Sequence, residues 1–145
     1  MTWERLEKWE TRTTNYAGCY FLSLAFTLID CLVFYTDTAM VHPYEPVGCF
    51  KDTRYRRVLP VLVNSFPDMI NETDLFSSYA AIIHACATEV YKNGFWYFGV
   101  QYRYQCWSGM NGDRTYNQHG RSDNCLANYG VGATWTIFVY RFVGG

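Results

Sequence analysis

Six cysteines carry the clearest chemistry in this sequence, and four of them, Cys49, Cys86, Cys106 and Cys125, fall in its C-terminal two-thirds. An even set with no closely spaced pair suits a disulfide framework better than a metal site. His42, His84 and His119 are scattered and add no cluster of ligands or evident partner for a nucleophile. Asp113 and Asp123 stand in one polar segment, but nothing around them tunes one as acid and the other as base. The stretch from Asn111 to Asp123 holds several oxygen ligands at spacings that do not match a calcium loop. These residues point to oxidised thiols, no metal, no cofactor and no catalysis.

Charge narrows the partners. The 145-residue chain has a net charge of -1, and only 17% of its residues are charged. From Val41 onward there are nine Lys or Arg and eight Asp or Glu. A nucleic-acid binder of this size carries a basic stripe. The only local basic run, Arg54, Arg56 and Arg57, reads as a solvated loop. Aromatic residues make up 19%, with 13 Tyr, a composition that suits an extracellular module.

The cysteines need elements to hold them. His42-Pro43-Tyr44-Glu45-Pro46 is an extended entry, and the domain boundary falls here, giving a leader over 1–40 and a domain over 41–145. Val47 to Phe50 reads as a first strand. Val58 to Val63 is apolar, but Pro60 restricts it to an edge strand or a packed loop. Leu75, Tyr79, Ile82, Ile83, Cys86 and Val90 recur at helical spacing, with Asn71, Thr73 or Asp74 available as a cap and Asn93-Gly94 as a stop. Phe95 to Trp107 alternates: Trp96, Phe98, Val100, Tyr102, Tyr104 and Cys106 share an expected buried face. Tyr97, Gln101, Arg103 and Gln105 share an expected exposed one. Ser108 to Gly132 reads as a long loop with little core, and Trp135 to Phe142 as a central strand, apolar on both faces. The fold class is α+β, one helix packed on a small antiparallel sheet.

Four cysteines allow three pairings. Cys86 on the buried helix face and Cys106 on the buried face of the next strand come together when the helix packs on that strand. This leaves Cys49 for Cys125.

The N-terminal region is less settled. Tyr16 to Tyr35 is mostly apolar and long enough to span a bilayer. Arg5, Lys8 and Arg12 precede it and no Lys or Arg follows until Lys51, which orients the domain outward. Glu4, Glu7 and Glu10 offset the basic charge, and Asp30 costs about 2.5–3.5 kcal/mol inside hydrocarbon. An atypical cleaved signal, a single-pass anchor and a buried helix all remain open. Membrane contact is expected only through 16–35, if uncleaved.

Gly48-Cys49-Phe50-Lys51-Asp52, Arg57-Val58-Leu59-Pro60, Cys86 with Gly94-Phe95, Tyr97-Phe98-Gly99-Val100-Gln101-Tyr102 and Cys106-Trp107-Ser108-Gly109 together resemble the WSC domain, a module related in layout to the apple/PAN group. The chain is also similar to four-cysteine secreted invertebrate proteins of the cnidarian type, whose late segments resemble Gly120 to Cys125 and Gly130 to Tyr140. The likeness spans about Tyr44 to Phe142. A fuller WSC pattern has further cysteines where this chain has Val90 and Ser108, as if one bridge had been lost.

The resemblance implies a secreted or membrane-tethered module that binds carbohydrate, or alternatively an extracellular protein as apple/PAN modules do. Sugars are held by aromatic faces and planar polar side chains. Tyr97, Gln101, Arg103, Trp107, Asp113 and Arg114 are the candidate ligand-binding residues, with Asn111, Tyr116, Asp123 and Asn124 in the same region. Trp107 also suits core packing, and the Asn, Asp and Gly content also suits turns. Asn71-Glu72-Thr73 is a glycosylation sequon just before the helix.

Overall fold

A computed structural model describes residues 42–144. The expectations for residues 16–35, and for Cys19 and Cys31 within them, lie outside the described residues. Among the described residues no helix is long and apolar enough to cross a membrane.

The main helix α1 runs Leu75–Lys92 and buries Tyr79, Ile82, Ile83, Cys86, Ala87 and Val90 along one stripe. Its N-terminus is closed by the Asp74 side chain, which accepts from the Ser77 backbone N–H at 3.1 Å. At the other end Gly94 adopts a left-handed φ of 75°. The Gly94 N–H then donates to the Tyr91 carbonyl and the Phe95 N–H to that of Val90. This pair of bonds satisfies carbonyls the helix leaves open.

The described residues also form seven strands: β1 Tyr44–Lys51, β2 Val61–Ser65, β3 Tyr97–Gln101, β4 Gln105–Ser108, β5 Cys125–Leu126, β6 Val131–Gly132 and β7 Thr136–Phe142. Five form an antiparallel sheet in the order β1-β7-β3-β4-β2, and β5 and β6 pair separately. The stretch from Val61 is an edge strand, as Pro60 requires, and β7 lies inside the sheet. The first strand is longer than expected, starting at Tyr44. Both disulfides close as expected: Cys86–Cys106 joins helix to sheet, and Cys49–Cys125 joins β1 to β5.

Three expectations need correction. Phe95 to Trp107 is not one strand: the chain reverses at Tyr102–Tyr104, and β3 and β4 form a hairpin. Gln101 pairs with Gln105 across a three-residue turn. An odd turn keeps even-numbered residues on one face and odd-numbered on the other, so the alternation runs through the reversal unbroken. Tyr102 and Arg103 both take left-handed φ, at 50° and 73°, where Gly or Asn is usual. No turn residue marked the bend.

Second, the face expected to be exposed is a second core. Phe50, Val58, Leu59, Trp107, Ile137 and Val139 form a buried cluster distinct from the one under α1. Residues 52–59 lie over this face, and the segment after β4 contributes a short helix, α2 (Gly112–Thr115). Thr115 Oγ1 donates to the Val58 carbonyl at 2.5 Å, and Gln118 Nε2 to that of Arg57 at 3.0 Å. The segment read as a loop with little core is thus a clamp, and its Val131 is wholly buried in the helix-side core. Third, Trp96 and Trp135, placed on packed strand faces by alternation, lie outside the strands at 47% and 39% exposure.

Two outcomes follow. Replacing both cysteines of a bridge with alanine lowers urea-unfolding stability by about 4.5 kcal/mol for Cys49–Cys125 and about 3.3 kcal/mol for Cys86–Cys106, on loop-closure entropy alone. The order reflects the 76- and 20-residue separations. The Ser77 hydroxyl and N–H hold the Asp74 carboxyl below its usual pKa. A depressed folded pKa gives stability that is present above the ordinary carboxylate range and lost as pH falls through the folded value. Asp74→Asn therefore flattens the acid limb of the stability profile, measured by urea melts across that range.

Candidate functional site

Two side-chain groupings stand at the two ends of β3. Around Tyr97, at the start of that strand, lies a cleft of about 330 Å³ lined by Trp96, Tyr97, Gly109, Met110, Gly112 and Asp113. Trp96 is held through its carbonyl, which accepts from the Phe142 N–H at 3.1 Å. Its ring stands edge-on to His42 at 6.1 Å. Tyr97 stacks on Tyr116 at 5.6 Å. Helix α2 comes close because residue 112 is glycine: a Cβ there would sit 2.6 Å from Tyr97 Cβ. Asp113 is exposed beside this floor. Glu45 foremost, and then the Tyr97 side chain, hold the Arg141 guanidinium above its usual pKa, so that residue stays charged close by.

Around Gln101, at the end of β3, the groups are more deeply buried. Asp52 is 5% exposed, and its Oδ1 accepts from the Val58 N–H at 2.9 Å. Arg57 Nη1 donates to Asp52 Oδ2 and to Gln101 Oε1, each at 2.8 Å. The guanidinium carbon lies 3.9 Å from the Trp107 ring centroid and 5.7 Å from that of Trp135. Trp107 Nε1 in turn donates to Gln105 Oε1 at 3.2 Å. Gln101 is wholly buried, yet its Nε2 has no partner.

The sequence candidates divide accordingly. Tyr97 and Asp113 share the cleft. Gln101 and Trp107 share the Arg57 grouping, both buried, so Gln101 does not present the exposed surface expected of it. Arg103 stands apart on the hairpin turn, its Nε donating to Tyr79 Oη at 2.5 Å and its Nη2 3.2 Å from Glu72. Tyr79 first, then Glu72, hold that guanidinium above its usual pKa. Arg114 is exposed beside Asp113, 3.8 Å away. Asn111 is exposed next to α2, while Asp123 and Asn124 lie near Cys125, outside both groupings.

Sequence reasoning missed Asp52, Arg57, Trp96 and Trp135. Arg57 sits in a basic run that reads as solvated, yet its side chain is only 19% exposed. The available signal was Asp52 five residues before Arg57, with two apolar residues following. Among the described residues no group of three or more His, Cys, Asp or Glu side chains is placed to hold a metal ion. No family model matches the chain, and no curated protein matches it.

Removing one partner of a buried pair strands the other charge. Asp52→Ala should lower stability by about 3 kcal/mol, at the low end for buried pairs because Arg57 keeps some solvent. Asp52→Ala with Arg57→Met should recover part of that loss. Urea melts of the two variants decide it.

Proposed function

We propose that this chain carries a non-catalytic extracellular recognition domain that binds carbohydrate through the Trp96 cleft. The observation that carries the reading is the cleft of about 330 Å³ lined by half-exposed Trp96, by Tyr97 and by exposed Asp113. An aromatic face takes the apolar side of a pyranose, and a carboxylate accepts from its hydroxyls. The resemblance to the WSC domain implies the same ligand class. Two disulfides suit an oxidising, extracellular setting. His42 stacks on Tyr91 at 4.8 Å and stands edge-on to Trp96, and His119 Nε2 lies 2.6 Å from the Arg56 carbonyl. His84 is exposed on α1.

Protein recognition of the apple/PAN type is the second reading, and one feature favours it. An apolar groove of about 320 Å³ runs between α1 and residues 127–130, lined by Phe76, Ile83, Tyr129 and Phe138 among others. Phe76 is 71% exposed there.

A glycan array with the disulfide-intact protein separates the two. Carbohydrate binding that Trp96→Ala weakens about tenfold, ~1.4 kcal/mol, supports the cleft. Retention of a protein partner that Phe76→Ser abolishes, with no glycan above background, replaces the first reading with the second. The sequon is tested in the same preparation. Asn71 is exposed and its Oδ1 accepts from Thr73 Oγ1 at 2.7 Å. Expression through a secretory pathway should add a glycan there, seen as a mass shift absent from Asn71→Gln.

A further inference from the structure

The Gln101 end of the sheet carries two unfavourable features at one place. Gln101 is wholly buried and its Nε2 donates to nothing. Leaving a buried amide unpaired forfeits its hydration without return. Beside it Trp135 has a left-handed φ of 55°, an uncommon conformation for a bulky residue. The residue is 39% exposed, and its ring stands edge-on to Tyr102 at 6.1 Å. Strain of this kind points towards function when the surroundings hold it in place. They do here: the Asp52 N–H donates to the Trp135 carbonyl at 2.9 Å, and the following Thr136 Oγ1 donates to the Asn124 carbonyl at 3.0 Å.

The chemistry of a ligand suited to this place can be read from which groups are already satisfied. Asp52 neutralises Arg57 at 2.8 Å, so the grouping does not call for an anion. The unfilled atom is a donor, so it calls for an acceptor. Trp135 offers an aromatic face to something flat or apolar. An acetamido group meets all three conditions: it is neutral, its carbonyl accepts, and its plane and methyl stack. We propose that this grouping is a second ligand seat, for the acetamido group of an N-acetylated sugar. Gln101 Nε2 donates to the carbonyl oxygen and Trp135 covers the methyl and the sugar ring. Half-buried Gln105 and Tyr102 supply polar atoms at the rim for ring hydroxyls. Entry requires the Trp135 ring to swing outward about its side-chain torsions while its backbone stays held by the Asp52 N–H. The inference rests on the domain being a glycan binder, but not on the Trp96 cleft.

The test titrates the full chain, disulfides intact, with N-acetylglucosamine, glucose, glucuronate and N-acetyl-lysine, following indole and side-chain amide signals by NMR. N-acetylglucosamine is expected to move the Gln101 amide and Trp135 indole signals, with glucose and glucuronate at least tenfold weaker. Trp135→Gly should weaken binding at least tenfold while leaving the urea midpoint unchanged or raised, because glycine suits that backbone. Gln101→Leu is the second variant and should lose binding equally. Trp96→Ala should leave these signals responsive. Equal response to glucose, a preference for glucuronate or N-acetyl-lysine, or no response to any probe at tens of millimolar overturns the proposal. So does a Trp135→Gly protein that still binds. Sugar binding lost in Trp96→Ala alone supports the cleft and removes this seat; loss in Trp135→Gly alone does the reverse.

Discussion

A sheet has two faces, and one helix covers only one of them. The rest of this structure follows from that shortage. The Phe98, Val100, Tyr140 and Phe142 face is met by α1 and its apolar stripe. The Phe50, Trp107, Ile137 and Val139 face has no such partner and is covered by irregular chain. Irregular chain covers a core only if its own backbone groups are satisfied. Side chains do this here: Asp52 accepts from the Val58 N–H, Thr115 donates to the Val58 carbonyl, and Gln118 donates to the Arg57 carbonyl. Val58 and Leu59 are wholly buried as a result. The buried ion pair of Asp52 and Arg57 is part of this same stitching, which explains why charge appears on an otherwise apolar face.

How much of this was legible in the sequence depended on whether the determining contacts were local. The helix was legible because its stripe, its Asp74 cap and its Gly94 stop all lie within the element. The disulfide pairing was legible because face assignments alone bring Cys86 to Cys106. The hairpin was not, because an odd turn preserves alternation and because Tyr102 and Arg103 occupy conformations their side chains disfavour. The second core was hidden for a related reason. Tyr97, Gln101 and Gln105 look like a solvent face until one knows that residues 52–59 lie over them, and that is a contact across more than 40 positions of chain. Of the candidate binding residues, Tyr97, Gln101, Trp107 and Asp113 do line the far face, but burial sorts them differently from exposure-based reasoning. Trp96 and Trp135 were misjudged because each sits one residue outside a strand, where alternation no longer applies.

The two disulfides divide their work between the layers. Cys86–Cys106 lies wholly within the helix-side core, both cysteines at 0% exposure. Cys49–Cys125 lies at the sheet margin and anchors the start of the β5–β6 pair, whose Val131 then reaches the core. Tyr140 links the same region: its hydroxyl donates to the Gly130 carbonyl at 2.8 Å. Burial first, and Tyr44 second, raise its pKa and keep that donor protonated.

The three-residue turn between β3 and β4 has one more consequence. A single insertion or deletion there would turn β4 over, because every side chain on a strand changes face when register slips by one. Cys106 would then point away from α1, and Trp107 would be driven into the helix. A hairpin closed in the wrong register would therefore hold Cys106 away from Cys86. The Cys86–Cys106 bridge is therefore compatible with one register of β4 against β3, the one the three-residue turn sets.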